Sequence, residues 1–418
     1  MRAGDVIRPA QTNGTLGPLV DAPAVSGTWI EIDAAALRHN LDVLRGELGD
    51  ATLCMVVKGN AYGHGYRTVV PIAEGQGVRD FAVFSAREAA SFYAASDGRS
   101  RLQVMGGGDP ANLPWLLEKG AHIWLNDAAD WDALQAAVAE TGRTAHVHLE
   151  LETGMNRTGV RPENALPIAR AIHEHPDVHL EGVCTHLAGA EDPVNDDRLA
   201  AQRLRFAAFE EALRDAGVTW GSSHVASSAA ALREPNGHHD LVRMGIACYG
   251  LWPSSHVLRA RRALGDVPVL RPVLSWKSRV LATRFVADGD YVGYGRSHEA
   301  EGDQVVAVVA VGYGCLPEIA FEGDGFSRDL SNRGHVLIRG RRASIMGAVN
   351  MNMIQVHATH LPDVACGDEV VLIGAQGDEA ISVGSFSDFN NVVNYELMAR
   401  LSWEIPRIIR GDPEVGPP

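Results

Sequence analysis

From residue 50 to residue 250, short apolar runs alternate with longer stretches whose apolar residues return every three or four positions. The short runs read as buried strands and the longer ones as amphipathic helices, because side chains alternate across a strand but recur along one face of a helix. The strand candidates are 53–58, 81–85, 102–106, 122–126, 146–152, 181–186, 223–228 and 241–246. Helical patterns such as 128–140, 162–175 and 196–216 fill most of the gaps, and the one after Ser228 is short. That rhythm predicts an α/β fold built on a (β/α)8 TIM-type barrel.

After Pro268 the texture changes to strands separated by glycines, at 273–280, 305–311, 336–338, 354–356 and 370–373, which predicts a β-rich C-terminal domain. Near the start, 28–33 reads as a strand and Asp33 as the cap of a helix over 34–48. The chain therefore divides into an extension at 1–27, expected to be poorly ordered, a barrel domain at 28–266 and a β-rich domain at 267–418.

A length of 418 residues with 46% hydrophobic content supports large cores, and a formal charge of −15 argues against nucleic acid or an anionic membrane as partner. No run approaches the ~20 apolar residues of a membrane helix, and the start has no secretory pattern, so the cytoplasm is expected. Cys54, Cys184, Cys248, Cys315 and Cys366 are odd in number and far apart, which suits reduced thiols better than a disulfide frame or zinc site. His146 with His148, and His238 with His239, lack carboxylate or cysteine partners at ligand spacing, so no metal is expected.

Lys58 stands at the end of the apolar run 53–57 and is followed by a glycine-rich turn. A strand that delivers an amine into a partly dry site favours its uncharged form, able to condense with a carbonyl compound. Spacing alone leaves this open against a surface lysine after a core strand.

The full string VVKGNAYGHGY, residues 56–66, closely resembles the pyridoxal-phosphate lysine motif of the alanine racemase family, with Gly59 where alanine is common. The resemblance covers about residues 28 to 410 and is specific also at Arg157, His186, 243–250, Tyr294, 330–342 (LSNRGHVLIRGRR) and Tyr395. It implies a pyridoxal 5'-phosphate enzyme that racemises an amino acid, alanine by default, as a homodimer with shared active sites. It also implies that strand 28–33 joins the C-terminal domain.

By the same resemblance His186 packs on the cofactor ring, Tyr62, Ser228, Gly245, Ile246 and Tyr395 hold its phosphate, and Arg243 faces its ring nitrogen. Hydroxyls, phenols and backbone amides suit a phosphate held without metal. Arginine keeps its proton, so the cofactor becomes a restrained electron sink, as a racemase requires. Lys58 is implied as the base on one face of the α-carbon and Tyr294 of the partner subunit as the base on the other. Arg157 is implied as the cation beside that phenol. Met351 and Tyr313 are implied at the substrate end.

The sequence departs from the family pattern at two places. Glu150 stands where a lysine, carbamylated in the family, supplies a negative charge to Arg157, and a glutamate provides that charge without carbon dioxide. Around Met351, Ala348 and Asn352 replace an arginine and an aspartate. The alternatives are a broad-specificity or serine racemase, a decarboxylase of the same barrel class, and a pyridoxal-phosphate-binding protein without turnover. Tyr294 in the β-rich half argues against the last, and Cys315 without an adjacent aspartate against the decarboxylase.

Overall fold

Eight parallel strands form the first layer: β2 (Thr52–Val56), β3 (Asp80–Val83), β4 (Arg101–Val104), β5 (His122–Leu125), β6 (Ala145–Glu150), β7 (Val178–Cys184), β8 (Ser222–His224) and β9 (Leu241–Met244), with β9 beside β2. The computed structural model describes residues 27–235, 237–315, 331–384 and 394–411. All but Gly27 of the extension read at 1–27 lies outside the described residues. Helices cover the outside of the sheet, among them Ala128–Thr141, Pro162–Glu174, Asp196–Asp215 and the short Ser228–Arg233. The ring closes sparsely between β8 and β9, where Arg243 N donates to Ala226 O at 3.0 Å and Asp240 N to Ser223 O at 3.0 Å.

The strands stop one to four residues before the apolar runs do. Some of the remaining residues, Val57, Thr185, Val225 and Ala226 among them, stay buried but leave the ladder to form loops at its carboxyl end. Lys58, His186, Ser228, Gly245 and Ile246 therefore stand just past strand ends and not on the strands, whereas Glu150 and Arg243 are strand residues.

The second sheet runs β16-β15-β12-β13-β14-β11-β10-β1-β17, and an extra pairing of β15 with β10 closes six of its strands into a ring. These are β1 (Trp29–Asp33), β10 (Leu274–Val286), β11 (Gln304–Val309), β12 (His335–Ile338), β13 (Arg341–Met346), β14 (Ile354–His357), β15 (Glu369–Gln376), β16 (Glu379–Ile381) and β17 (Arg407–Arg410). β1 pairs antiparallel with β10 and parallel with β17, so it is a strand of this sheet.

From β1 the chain passes through Asp33, whose Oδ1 accepts from Ala36 N at 2.8 Å, into the helix Ala34–Leu48. Leu37, Leu41, Leu44 and Leu48 are buried on one face of that helix, each contributing about 1.5–3 kcal/mol. Buried Asn40 pins the helix to the link before β10, donating to Arg271 O at 2.8 Å and accepting from Arg271 N at 2.8 Å. No helix among the described residues is long and apolar enough to cross a membrane.

Candidate active site

Lys58 opens a turn of left-handed helix: φ is 63° at Gly59, 55° at Asn60, 54° at Ala61, 50° at Tyr62 and 79° at Gly63. Each L-residue in that conformation costs about 1–2 kcal/mol, so the turn persists only because its surroundings hold it. Glu88, the third residue of the helix capped by Ser85, accepts from Gly59 N at 2.7 Å and from Phe84 N at 2.7 Å. At the other end Arg407 of β17 donates to Gly63 O at 2.8 Å. A Cβ at Gly63 would lie 1.9 Å from Met398 O, whereas one at Gly59 would meet only Ala399 Cβ at 3.6 Å. Gly59→Ala is thus expected to cost only the conformational term, about 1 kcal/mol, read as a lowered urea midpoint with an unchanged denaturant slope. A loss above about 3 kcal/mol would contradict this account of the turn.

The turn delivers Lys58 into a cavity of about 640 Å³ at the carboxyl end of the barrel. Tyr62, Glu150, Arg157, His186, Ser228, Arg243, Gly245, Ile246 and Tyr395 line it together with Lys58. Ser228 Oγ accepts from Gly245 N at 2.9 Å, and a Cβ at Gly245 would stand 2.5 Å from Tyr62 Oη. The backbone there is bare where the phenol approaches.

Arg243 is buried and spends four of a guanidinium's five N–H groups on protein. Nη1 donates to His224 Nδ1 at 2.7 Å and His224 O at 2.8 Å. Nη2 donates to Thr185 O at 2.8 Å and Val225 O at 3.3 Å. Among the described residues Nε–H alone has no protein acceptor. The guanidinium carbon lies 5.3 Å above the Trp124 ring.

Lys58 keeps solvent access through the cavity, yet desolvation pulls its pKa below the ordinary lysine value, helped by the Arg157 charge, opposed by Glu88 and helped slightly by Arg243. Glu150 is shifted up by burial, against a hydrogen bond from Thr158 and the charges of Arg243 and Arg157. Burial, reinforced by the charges of Arg243, Arg157 and Lys58, holds His186 neutral with a pKa of about 3. The cavity therefore combines an amine that gives up its proton easily, a neutral ring and a buried carboxyl between two guanidiniums. Its hydroxyls, backbone amides and one uncommitted Nε–H fit a phosphate and a heteroaromatic nitrogen, as pyridoxal phosphate presents.

Four residues singled out in the sequence do not line this cavity. Tyr294 is 71% exposed, Met351 57% and Tyr313 40%, and Asn352 is exposed beside Met351. Their loops in the β-rich domain are joined to one another. Gly314 N donates to Met351 O at 2.7 Å and Tyr313 N to Asn350 O at 3.1 Å. Asn332 links the Tyr294 turn to the 347 loop, donating to Ser297 O at 2.9 Å and accepting from Gly347 N at 2.8 Å.

The sequence reading did not name Glu88, Trp124, Thr158 or Glu191 among the lining residues, nor Arg407 as an anchor. Only Glu88 carried a signal, the Ser-x-x-Glu pattern at 85–88 of a capping box. His146 and His148 do not converge as a pair: His146 Nδ1 meets Glu181 Oε1 at 2.7 Å, a carboxylate supplied by the neighbouring strand, and His148 contacts other histidines.

Residues 32–253 match the family described as alanine racemase, N-terminal domain, and residues 273–409 the alanine racemase C-terminal domain. The chain is 34% identical to an alanine racemase of Symbiobacterium thermophilum over 94% of its length and 100% of the relative. It is also 34% identical to one of Sorangium cellulosum, over 92% and 99%. Among solved structures, the alanine racemase of Bacillus anthracis with bound L-Ala-P superposes with a TM-score of 0.83 at 31% identity, covering 94% of this chain and 97% of that one. That of Streptomyces coelicolor gives 0.83 at 26%, covering 92% and 98%.

Proposed function

Because the chain belongs to the alanine racemase family, we propose that it interconverts L- and D-alanine with pyridoxal 5'-phosphate, using Lys58 on one face of the α-carbon and Tyr294 of the partner subunit on the other. The observation that carries this reading is the convergence of Lys58, Tyr62, His186, Ser228, Arg243, Gly245, Ile246 and Tyr395 on one cavity. When bound, the cofactor supplies a carbonyl that takes up an amine and a ring that draws electrons from the α-carbon.

The protein's part is to hold and to move protons. Tyr62, Ser228, Tyr395 and the amides of Gly245 and Ile246 would hold the phosphate, Gly245 N turning from its bond to Ser228 Oγ, and His186, kept neutral, would face the ring. Arg243 would offer its uncommitted Nε–H to the ring nitrogen and, as an arginine, would not surrender the proton, which would restrain the electron sink and disfavour side reactions. Lys58, its ammonium destabilised by burial, takes or returns the α-proton at Nζ.

The second base is the reason for reading the active form as a homodimer. Tyr294, Tyr313 and Met351 are exposed on adjacent loops and absent from the cavity lining of their own chain, which is what residues destined for a neighbouring subunit's site require. Buried free thiols at Cys54, Cys184 and Cys248 support a reducing, cytoplasmic setting. The purified protein, assayed against single-enantiomer amino acids with chiral separation of products and α-proton exchange in deuterated water, tests the reading. Alanine is expected to racemise fastest. Ala348 and Asn352 make the substrate end less charged, so a faster turnover of serine or a longer side chain would shift the assignment to a broad-specificity racemase.

Glu150 supplies a carboxyl beside Arg157 and Arg243 that needs no carbon dioxide to form, with burial pushing its pKa up and the two guanidiniums opposing that shift. Activity is expected to be unchanged in buffer freed of carbon dioxide and bicarbonate. Glu150→Ala is expected to lose at least about tenfold in kcat/KM, ~1.4 kcal/mol of transition-state stabilisation. Wild-type activity in Glu150→Ala would remove this residue from the site's chemistry.

A further inference from the structure

The barrel lumen, which in such folds is packed mainly with branched apolar side chains, here holds a column of imidazoles below Arg243. His224 Nε2 lies 2.9 Å from His148 Nδ1, and His148 Nε2 lies 3.1 Å from His122 Nδ1. With Arg243 Nη1 at 2.7 Å from His224 Nδ1, the four side chains form one unbroken line, all of them buried. A guanidinium has only protons to offer, so His224 Nδ1 accepts. A neutral imidazole has one proton, which must then be on His224 Nε2 and be donated to His148 Nδ1. The same step repeats at His148, whose Nε2 proton goes to His122 Nδ1, and leaves the proton of His122 on Nε2. Arg243 thus dictates all three tautomers.

Two further observations agree. Burial holds His122 near a pKa of about 4 and moves His148 and His224 well below the ordinary histidine value, so the imidazolium, which would break the order of donors, is disfavoured. Gly182 of β7 makes the room: a Cβ there would stand 2.4 Å from His148 Nδ1 and 3.1 Å from His224 Nε2. At its far end the column meets His146, stacked on His122 at 5.1 Å and bound to Glu181, and the Arg101–Asp80 pair at 2.7 Å.

We propose that His148 and His122 are positioning residues for Arg243, acting through His224: the oriented column keeps the Nδ1 lone pair of His224 on Nη1 and thereby fixes the guanidinium in the cavity wall with its Nε–H uncommitted. The column stands on the protein's own atoms, and only its consequence for turnover rests on the role given to Arg243 above. Nuclear magnetic resonance of histidine-¹⁵N-labelled protein, free of cofactor at neutral pH, tests it first. His122, His148 and His224 are expected as Nε2–H tautomers, and an Nδ1–H or doubly protonated ring at any of the three overturns the column.

The paired variants His122→Asn and His122→Leu test it second. Asn keeps an acceptor near the Nδ1 position and Leu removes it. His122→Asn is expected to keep the tautomer pattern and kcat within about twofold of wild type. His122→Leu is expected to scramble the tautomer of His148 and lower kcat by about fivefold or more with KM little changed. Gly182→Ala, which alters neither imidazole, is expected to match His122→Leu. Tautomers as stated with kcat indifferent to all three variants would overturn the positioning role while leaving the column intact, and would locate the failure in the role of Arg243.

Discussion

Lys58→Ala is expected to abolish racemisation in both directions, with a loss above about 10⁴-fold, because in the proposed mechanism the one side chain is both the amine that anchors the cofactor and the proton carrier on one face. Positioned acid–base groups alone are worth about 10²–10⁴-fold. The electrostatics say why this lysine is suited to both tasks. Its ammonium is disfavoured by desolvation and by the Arg157 and Arg243 guanidiniums, with Glu88 as the opposing charge. The measurement is chiral separation of products from each enantiomer of alanine, together with deuterium uptake at the α-carbon. Turnover within tenfold of wild type would remove Lys58 from the mechanism. Because the turn is built on the backbone of residues 59–63, the variant should unfold at nearly the wild-type denaturant concentration, which separates lost chemistry from lost structure.

The second large effect concerns Tyr294. Tyr294→Phe is expected to slow α-proton exchange from one enantiomer by about 10²–10⁴-fold and from the other by much less, while the cofactor still binds. The location of the phenol adds a sharper test. If each site takes Lys58 from one chain and Tyr294 from the other, a heterodimer of Lys58→Ala with Tyr294→Phe contains one site with both defects and one site with none. Mixing the two inactive proteins under conditions of subunit exchange should then restore about one quarter of wild-type activity, since random pairing makes half the dimers mixed and half of their sites intact. No recovery despite demonstrated exchange would show that the two residues act within one chain or do not act together.

The fold was legible in the chain because its signals are local and repeated. Most of the barrel strands announce themselves as apolar runs, β8 (Ser222–His224) being marked only by Val225 and Ala226 just past its end, and Asp33 caps the helix that the periodicity predicts. Strand ends were overrun because residues such as Val57 and Val225 remain apolar after leaving the ladder, being buried under the loops of the site. β10 extends to Val286, six residues beyond its reading, because its second half is largely exposed and loses the alternation of a half-buried strand.

At the site, Lys58 and Arg243 were found through the motifs around them. The left-handed turn was not: Ala61 and Tyr62 carry no local mark of positive φ, and the turn is held by Glu88 and Arg407 from distant elements. The histidine column was hidden for a related reason. His122, His148 and His224 come from three strands, and only the closed ring aligns them.

The pairing of β1 with β17 has a consequence for how the protein is made. The lysine turn leaves the ribosome long before Arg407, which is 344 residues downstream of Gly63. At about 5–20 residues per second, this is a delay of roughly 20–70 s. Through that interval a nascent chain can close all eight barrel strands while β1 waits without a parallel neighbour and the turn without its guanidinium anchor. A product released early would therefore carry most of the catalytic side chains and still lack the geometry to use them, exposing an unpaired strand edge to chaperones and proteases.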